Sequence, residues 1–380
     1  MAGSYDVIVI GLGGMGSAAA RALAARGARV GGFERFGPAH AFGASHGGSR
    51  IIRLSYFEHP SYVPLLRTAY DRWERLERDS GRQLLTRSGG LFIGGLDSEV
   101  YAGTLLAARE HDLPHQVLDG AELRRRYPVL AAGDDVLAVL DEMAGTVLPE
   151  ATVQAHLDLA RHDGADLHFD SPVQSWSADG SGVVVRTAAG THRADRLVLA
   201  PGAWAPHLLQ LPDLPLRVER RVQMWFAPTG QEDAFAALPV WLWERGDGLQ
   251  FYGFPLRDGA IKVALHNRGG VCDPDTVERS VAAEEVAEMR EVLRPALPAL
   301  AGELVKTAVC TYTMTPDGHF LIAMHPQHPQ VVIAAGFSGH GFKFTPVIGE
   351  VLADLALDGA TAYPIALFDP ARLAGADSSP

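Results

Sequence analysis

An α/β fold, with a nucleotide-binding β-α-β unit at its start and a second layer on a mainly antiparallel sheet, is predicted by three observations. Residues 5–34 carry an apolar strand, Asp6–Ile10, then Gly11-Leu12-Gly13-Gly14-Met15-Gly16, an alanine-rich helix and a second strand ending at Glu34. Residues 216–270 alternate apolar and polar positions and are rich in aromatics, as an antiparallel sheet requires. Near the C-terminus, Val331–Ala335 feeds a glycine-rich turn and then a helix, which returns the chain to the strand-to-helix theme. The nucleotide-binding part is therefore expected to be discontinuous, over residues 1–85, 145–215 and 305–375. A substrate layer would take 86–144 and 216–304.

The first unit explains itself residue by residue. Gly11 permits a tight turn, Gly13 lets the backbone approach a pyrophosphate, and Gly16 lets helix and strand pack closely. Phosphate oxygens would then meet the free amides of a helix N-terminus. Glu34 lies at the distance where an acid holds a ribose hydroxyl, with Arg35 beside it. After a loop rich in glycine, serine and histidine (Phe42–Ser49) and Arg50-Ile51-Ile52-Arg53, the apolar positions Tyr62, Leu65, Leu66, Ala69, Trp73 and Leu76 predict a helix over 62–78. A further helix is expected at 149–163, with strands at Gly182–Arg186 and Arg196–Ala200. In the second layer the expected strands are Val222–Phe226, Val240–Trp243, Gln250–Phe254 and Ala260–Leu265, and the tail Gly375–Pro380 is expected to be solvated.

Composition narrows the function classes. The 380 residues are 47% hydrophobic and 21% charged, ordinary for a globular protein of about two domains. A net charge of −12 argues against nucleic-acid or anionic-membrane partners. No apolar run is long enough to span a membrane, so a cytoplasmic protein is expected. Two cysteines, Cys272 and Cys310, exclude a disulfide framework and a cysteine-rich metal site, and no metal is expected. All but three of the 33 basic residues are arginine. The lysines, Lys262, Lys306 and Lys343, thus draw notice as compact cations whose pKa can be tuned.

A single dinucleotide grip, without a second one or a Cys-x-x-Cys pair, suits a cofactor that stays bound and is recycled in place, a flavin rather than NAD. At Ser45-His46-Gly47-Gly48-Ser49-Arg50-Ile51-Ile52-Arg53, Cys310-Thr311-Tyr312 and Gly336–Phe344, the chain resembles the monomeric sarcosine oxidase family, which includes N-methyltryptophan oxidase. The likeness spans nearly all 380 residues. It implies a Rossmann-like FAD-binding domain and an FAD-dependent oxidase of secondary amino acids. The reaction implied is N-demethylation of a sarcosine or N-methyl-L-tryptophan type substrate by O2, giving amino acid, formaldehyde and hydrogen peroxide. The alternative is oxidation of a cyclic imino acid or a primary amine. A monomer is expected, with a small amino acid and O2 as its partners.

The resemblance also assigns residues. Cys310 would hold the flavin through a thioether. Gly11, Gly13, Gly16, Glu34, Arg35, Ser45, Gly339, Gly341, Phe342 and Lys343 would line the cofactor, with His46 and Arg50 near its ring. Lys262 would stand where oxygen is activated, because a cation stabilises charge that develops there, and His266 would share its strand face. Arg53 and Lys343 would take the substrate carboxylate, arginine by a two-pronged contact and lysine as a point charge. Tyr56, Tyr252 and Tyr312 would line the pocket. Phe57, bulkier than the family pattern, and Trp241-Leu242-Trp243 are expected either to close a small site or to stack on a larger substrate.

Overall fold

The computed structural model describes residues 3–373; the tail Gly375–Pro380 lies outside the described residues. In the first sheet, Asp166–His168, Val30–Phe33, Ser4–Ile10, Gly190–Leu199 and His328–Ala335 run parallel in that order. The antiparallel strands Gly182–Thr187 and Val173–Asp179 continue from the first half of Gly190–Leu199, and Leu321–His325 flanks the other edge. Strand alternation gives each face its own core. Val7 and Val9 pack with the helices Gly14–Ala25, Pro149–His162 and Thr345–Asp358, while Ile8 and Ile10 join Trp176, Val183 and Val185. The first and last of those helices touch closely, since a Cβ on Gly349 would lie 2.7 Å from that of Ala18. Any side chain at Gly349 would push them apart.

The second sheet has eight strands, in the order Leu304–Met314, Arg217–Phe226, Ile261–Leu265, Gln250–Gly253, Val240–Glu244, Gly90–Gly94, Leu137–Asp141, His115–Asp119. Its pairs are antiparallel except Val240–Glu244 with Gly90–Gly94. Helix Ala283–Ala296 covers one face, where Val286, Met289 and Leu293 meet Trp241, Trp243, Phe251 and Val263. Each such buried apolar side chain contributes about 1.5–3 kcal/mol. The opposite face carries Phe57, Phe92, Leu242, Tyr252 and Ala264. A small third sheet, Leu85–Arg87, Gly145–Val147 and Arg50–Ile52, adjoins both.

Most expected elements appear with shifted ends. The helix at 62–78 is Val63–Ser80 after a short turn, and that at 149–163 is Pro149–His162. The strand expected at Val222 begins at Arg217, because a long antiparallel partner, Leu304–Met314, pairs with it throughout. One expectation is overturned. Trp241 and Trp243 point under the helix, away from the face that holds Tyr252 and Phe57. Alternation leaves only Leu242 of that triplet on the site side, so neither tryptophan closes or stacks within the pocket.

Candidate active site

The glycine turn and the first helix make a cradle. Gly11 has φ +84°, and a Cβ there would sit 2.4 Å from the Ala200 carbonyl oxygen. Gly16 is held tighter still against the Gly11 carbonyl, so it shapes the turn from behind. The helix has Gly13 as its cap and no acid in its first turn, which leaves its dipole, and its first-turn amides other than that of Gly14, to an anion. Glu34, nearly buried, accepts from the Leu12 amide at 2.8 Å and the Phe36 amide at 3.1 Å. That fixes its carboxylate at the strand end. Ser45 Oγ accepts from the Gly14 amide at 3.1 Å, and Arg35 pairs with Asp275 at 2.7 Å.

A cavity of about 330 Å³ runs from this cradle between the two sheets. Gly11, Gly13, Glu34, Arg35, Ser45, Arg50, Tyr312, Gly339, Gly341 and Phe342 line it; Gly16, Cys310 and Lys343 stand behind the lining. Among the described residues, the buried Thr311 Oγ1, in that lining, and the His46 Nε2 have no hydrogen-bond partner. Bare glycine backbone, a helix start without an acid of its own, a fixed carboxylate and unpaired polar atoms at the inner end fit FAD.

The inner end gathers four expected residues. Cys310, fully buried, has its Sγ 3.7 Å from Arg50 Nη2. Arg50 also donates to the carbonyls of Ser49 at 2.7 Å and Ala44 at 2.6 Å. Lys262, 3% exposed, crosses from the second sheet and donates to Gly47 O at 2.8 Å and Ser49 O at 2.9 Å, so two cations share the Ser49 carbonyl. Burial, then the charge of Arg50, pushes the Lys262 ammonium well below its ordinary pKa. Burial, aided by Arg50 and Lys262, holds His46 neutral with a pKa of about 3.

The second cluster lies on the Tyr252 face. The Arg53 guanidinium lies 4.1 Å from the centre of the Tyr56 ring and 4.2 Å from that of Phe57, and Lys343 Nζ lies 5.1 Å from the same Tyr56 ring. Phe57 is thus a platform for arginine. Arg53 donates to both oxygens of Glu58 at 2.5 Å, and to Ser55 O at 3.3 Å. Burial works against ionisation of Glu58, yet Arg53, His340 and Lys343 hold its carboxyl down at about 2. The Tyr56 hydroxyl meets His340 Nδ1 at 2.5 Å. Lys343 Nζ donates to His340 O at 2.6 Å; burial, then Arg53, against the opposing pull of Glu58, brings its pKa to about 7. His266, just past its strand, lies 6.1 Å from Tyr252 and 6.3 Å from Tyr312 between ring centres, with burial lowering its pKa to about 4.

A model of the FAD dependent oxidoreductase family matches residues 6–355. The chain belongs to that family. It is 52% identical over 382 aligned residues to a monomeric sarcosine oxidase of Streptomyces avermitilis, covering 99% of this chain and all of the relative. To the N-methyl-L-tryptophan oxidase of Salmonella agona it is 33% identical, over 97% of this chain and 99% of the other. Among solved structures, NikD, an unusual amino acid oxidase essential for nikkomycin biosynthesis, superposes with a TM-score of 0.86 at 26% identity, over 97% of this chain and 98% of that one. The chain is thus a member of the sarcosine oxidase and N-methyltryptophan oxidase group and depends on FAD.

Sequence reading missed four polar residues of this centre. Glu58 occupies Nη2 of the Arg53 fork; Glu150 binds the Gly47–Gly48 amides; Gln223 abuts Gly47 with Oε1 unpartnered among the described residues; and buried Arg221 lies 5.0 Å from the Tyr312 ring. Of these, only Glu58 and Arg221 had a local signal, a charged residue beside an expected pocket residue or inside an apolar strand. Cys272 stays half-buried, with its amide donating to Val218 O, and bears on neither cluster.

Proposed function

We propose that this protein oxidises the C–N bond of a small N-methyl amino acid, of which sarcosine is the simplest, with O2 as acceptor, giving the amino acid, formaldehyde and hydrogen peroxide. The observation that carries this reading is a cationic pair, Arg53 and Lys343, both buried and both within about 5 Å of the Tyr56 ring, with Lys343 following Phe342 of the cavity lining. FAD, when bound, supplies the two-electron acceptor and passes the electrons on to O2. Lys343, with one bond to a backbone carbonyl, offers its remaining N–H groups to the substrate carboxylate. Arg53 adds its charge, with Glu58 setting how much of the fork is free. Holding the carboxylate fixes the N-methyl carbon, a positioning effect that removes the need for a strong base. Neutral His266 and His340 leave the amine unopposed by further positive charge.

On the oxygen side, Lys262 offers a cation, or a proton, where negative charge develops on O2. Arg50 stabilises negative charge on the ring side, and the buried Cys310 sulfur 3.7 Å from its Nη2 supports a thioether linkage through that sulfur. Phe57, spent on Arg53, and tryptophans turned to the far face favour a compact substrate over an indole-bearing one. Two free cysteines fit a reducing cytoplasm, and we read the enzyme as a monomer there. A screen of sarcosine, N-methyl-L-tryptophan, L-proline and glycine for formaldehyde and peroxide tests the proposal. Release of both products from sarcosine supports it; peroxide from proline or glycine alone would replace it with imino-acid or primary-amine oxidation.

A further inference from the structure

We propose that Glu150 is the positioning residue for Lys262, acting through the Gly47–Gly48 turn. The inference rests on the assignment of Lys262 to the oxygen step. Among the described residues Lys262 has no charged partner at its ammonium; its bonds go to backbone carbonyls, Gly47 O at 2.8 Å and Ser49 O at 2.9 Å. Those carbonyls, of Gly47 and Ser49, flank Gly48 in a turn with φ +93° at Gly47 and +75° at Gly48, a stretch with little steric preference of its own. Glu150 supplies the preference. Its Oε1 accepts from the Gly47 amide at 2.6 Å and the Gly48 amide at 3.1 Å, and Oε2 lies 3.2 Å from the latter.

The Gly47–Gly48 peptide is therefore gripped from two sides, with the Gly48 amide on a carboxylate and the Gly47 carbonyl on an ammonium. The carboxylate itself is anchored: Glu150 is the second residue of helix Pro149–His162, where proline starts the helix and an acid suits the dipole. It is 103 residues away from Gly47 in sequence and reaches it only through the fold. Two effects follow. The loop carbonyls that aim Lys262 are fixed, and the Glu150 charge, one layer behind the turn, favours the ammonium form of Lys262 against its burial. Arg50 is anchored at the Ser49 and Ala44 carbonyls, neither of which Glu150 touches.

The test compares Glu150→Gln, which keeps an acceptor but removes the charge, with Glu150→Ala, which removes both, and with Lys262→Met as reference, all as FAD-loaded enzyme. Hydrogen exchange of the 44–53 peptide and amine labelling of Lys262 by acetylation, read by mass spectrometry, report the clamp without turnover. Expected are faster exchange and new labelling of Lys262 in Glu150→Ala, a more than tenfold fall in the rate of reoxidation by O2, and anaerobic flavin reduction by sarcosine within about twofold of wild type. Glu150→Gln should move the alkaline limb of the oxygen step to lower pH with a smaller loss. Unchanged exchange and labelling, an unchanged oxygen step, or equal loss in both half-reactions would overturn the inference. If Lys262→Met itself leaves reoxidation intact, the role of Lys262 falls and this inference with it; if only the Glu150 variants do, the role of Lys262 stands.

Discussion

Lys343 makes the sharpest prediction, because it is the one cation of the substrate cluster placed to titrate near neutrality. Burial and the neighbouring Arg53 bring it to about 7, whereas Glu58 is held at about 2 and His340 and His266 fall to about 3 and 4. Between pH 6 and 9 those three groups keep one charge state. A carboxylate ligand without an amine, such as methylthioacetate, isolates Lys343 from the titration of the substrate itself. The sign follows from linkage. Below about pH 7 the ammonium is present and affinity is at its plateau; as pH rises past that value a proton must be taken up on binding, and Kd weakens by up to tenfold per unit. A hydrogen bond to a charged group is worth about 1.5–3 kcal/mol, so Lys343→Met should raise Kd about 10- to 150-fold at pH 6 and flatten the profile. Titration of the flavin spectrum with the ligand reads both numbers. A flat wild-type profile from pH 6 to 9, or the same slope in Lys343→Met, would refute the reasoning.

Three further outcomes are expected. Lys262→Met should slow reoxidation of the flavin by O2 by about two orders of magnitude, the scale of losing one charge-stabilising donor, with anaerobic reduction by substrate little changed in stopped flow. Cys310→Ala should send the yellow colour to the supernatant on acid precipitation, while wild type keeps it in the pellet. Phe57→Leu preserves apolar volume but removes the ring under Arg53, so KM for sarcosine should rise about two- to thirtyfold, the range of a cation–π contact, with a nearly unchanged melting temperature.

Much of this architecture was legible because its rules are local. The turn from Gly11 to Gly16 and the acid at Glu34 are dictated by backbone close approach and helix-start chemistry, and the structure brings all of them to one cradle. Lys262 stood out in a chain that otherwise uses arginine, inside an apolar strand, and it is indeed buried there. The phase of Trp241-Leu242-Trp243 was not legible, because alternation says that neighbours point to opposite faces without saying which face a distant helix will cover. Glu58 was in view yet its effect was not, since nothing in Arg53-Leu54-Ser55-Tyr56-Phe57-Glu58 announces that the chain doubles back to lay a carboxylate on its own arginine. Glu150 and Gln223 act across 103 and 176 residues of sequence, where only the folded chain makes them neighbours of Gly47.

The most direct measurement mixes the purified, FAD-loaded protein with sarcosine in the absence of oxygen, follows the flavin absorbance, and assays formaldehyde before and after air is admitted. Bleaching of the flavin with about one formaldehyde per flavin reduced, then recovery of the colour with one hydrogen peroxide formed, is the result predicted. A flavin that stays oxidised with every N-methyl amino acid offered, or that bleaches without releasing formaldehyde, would contradict it.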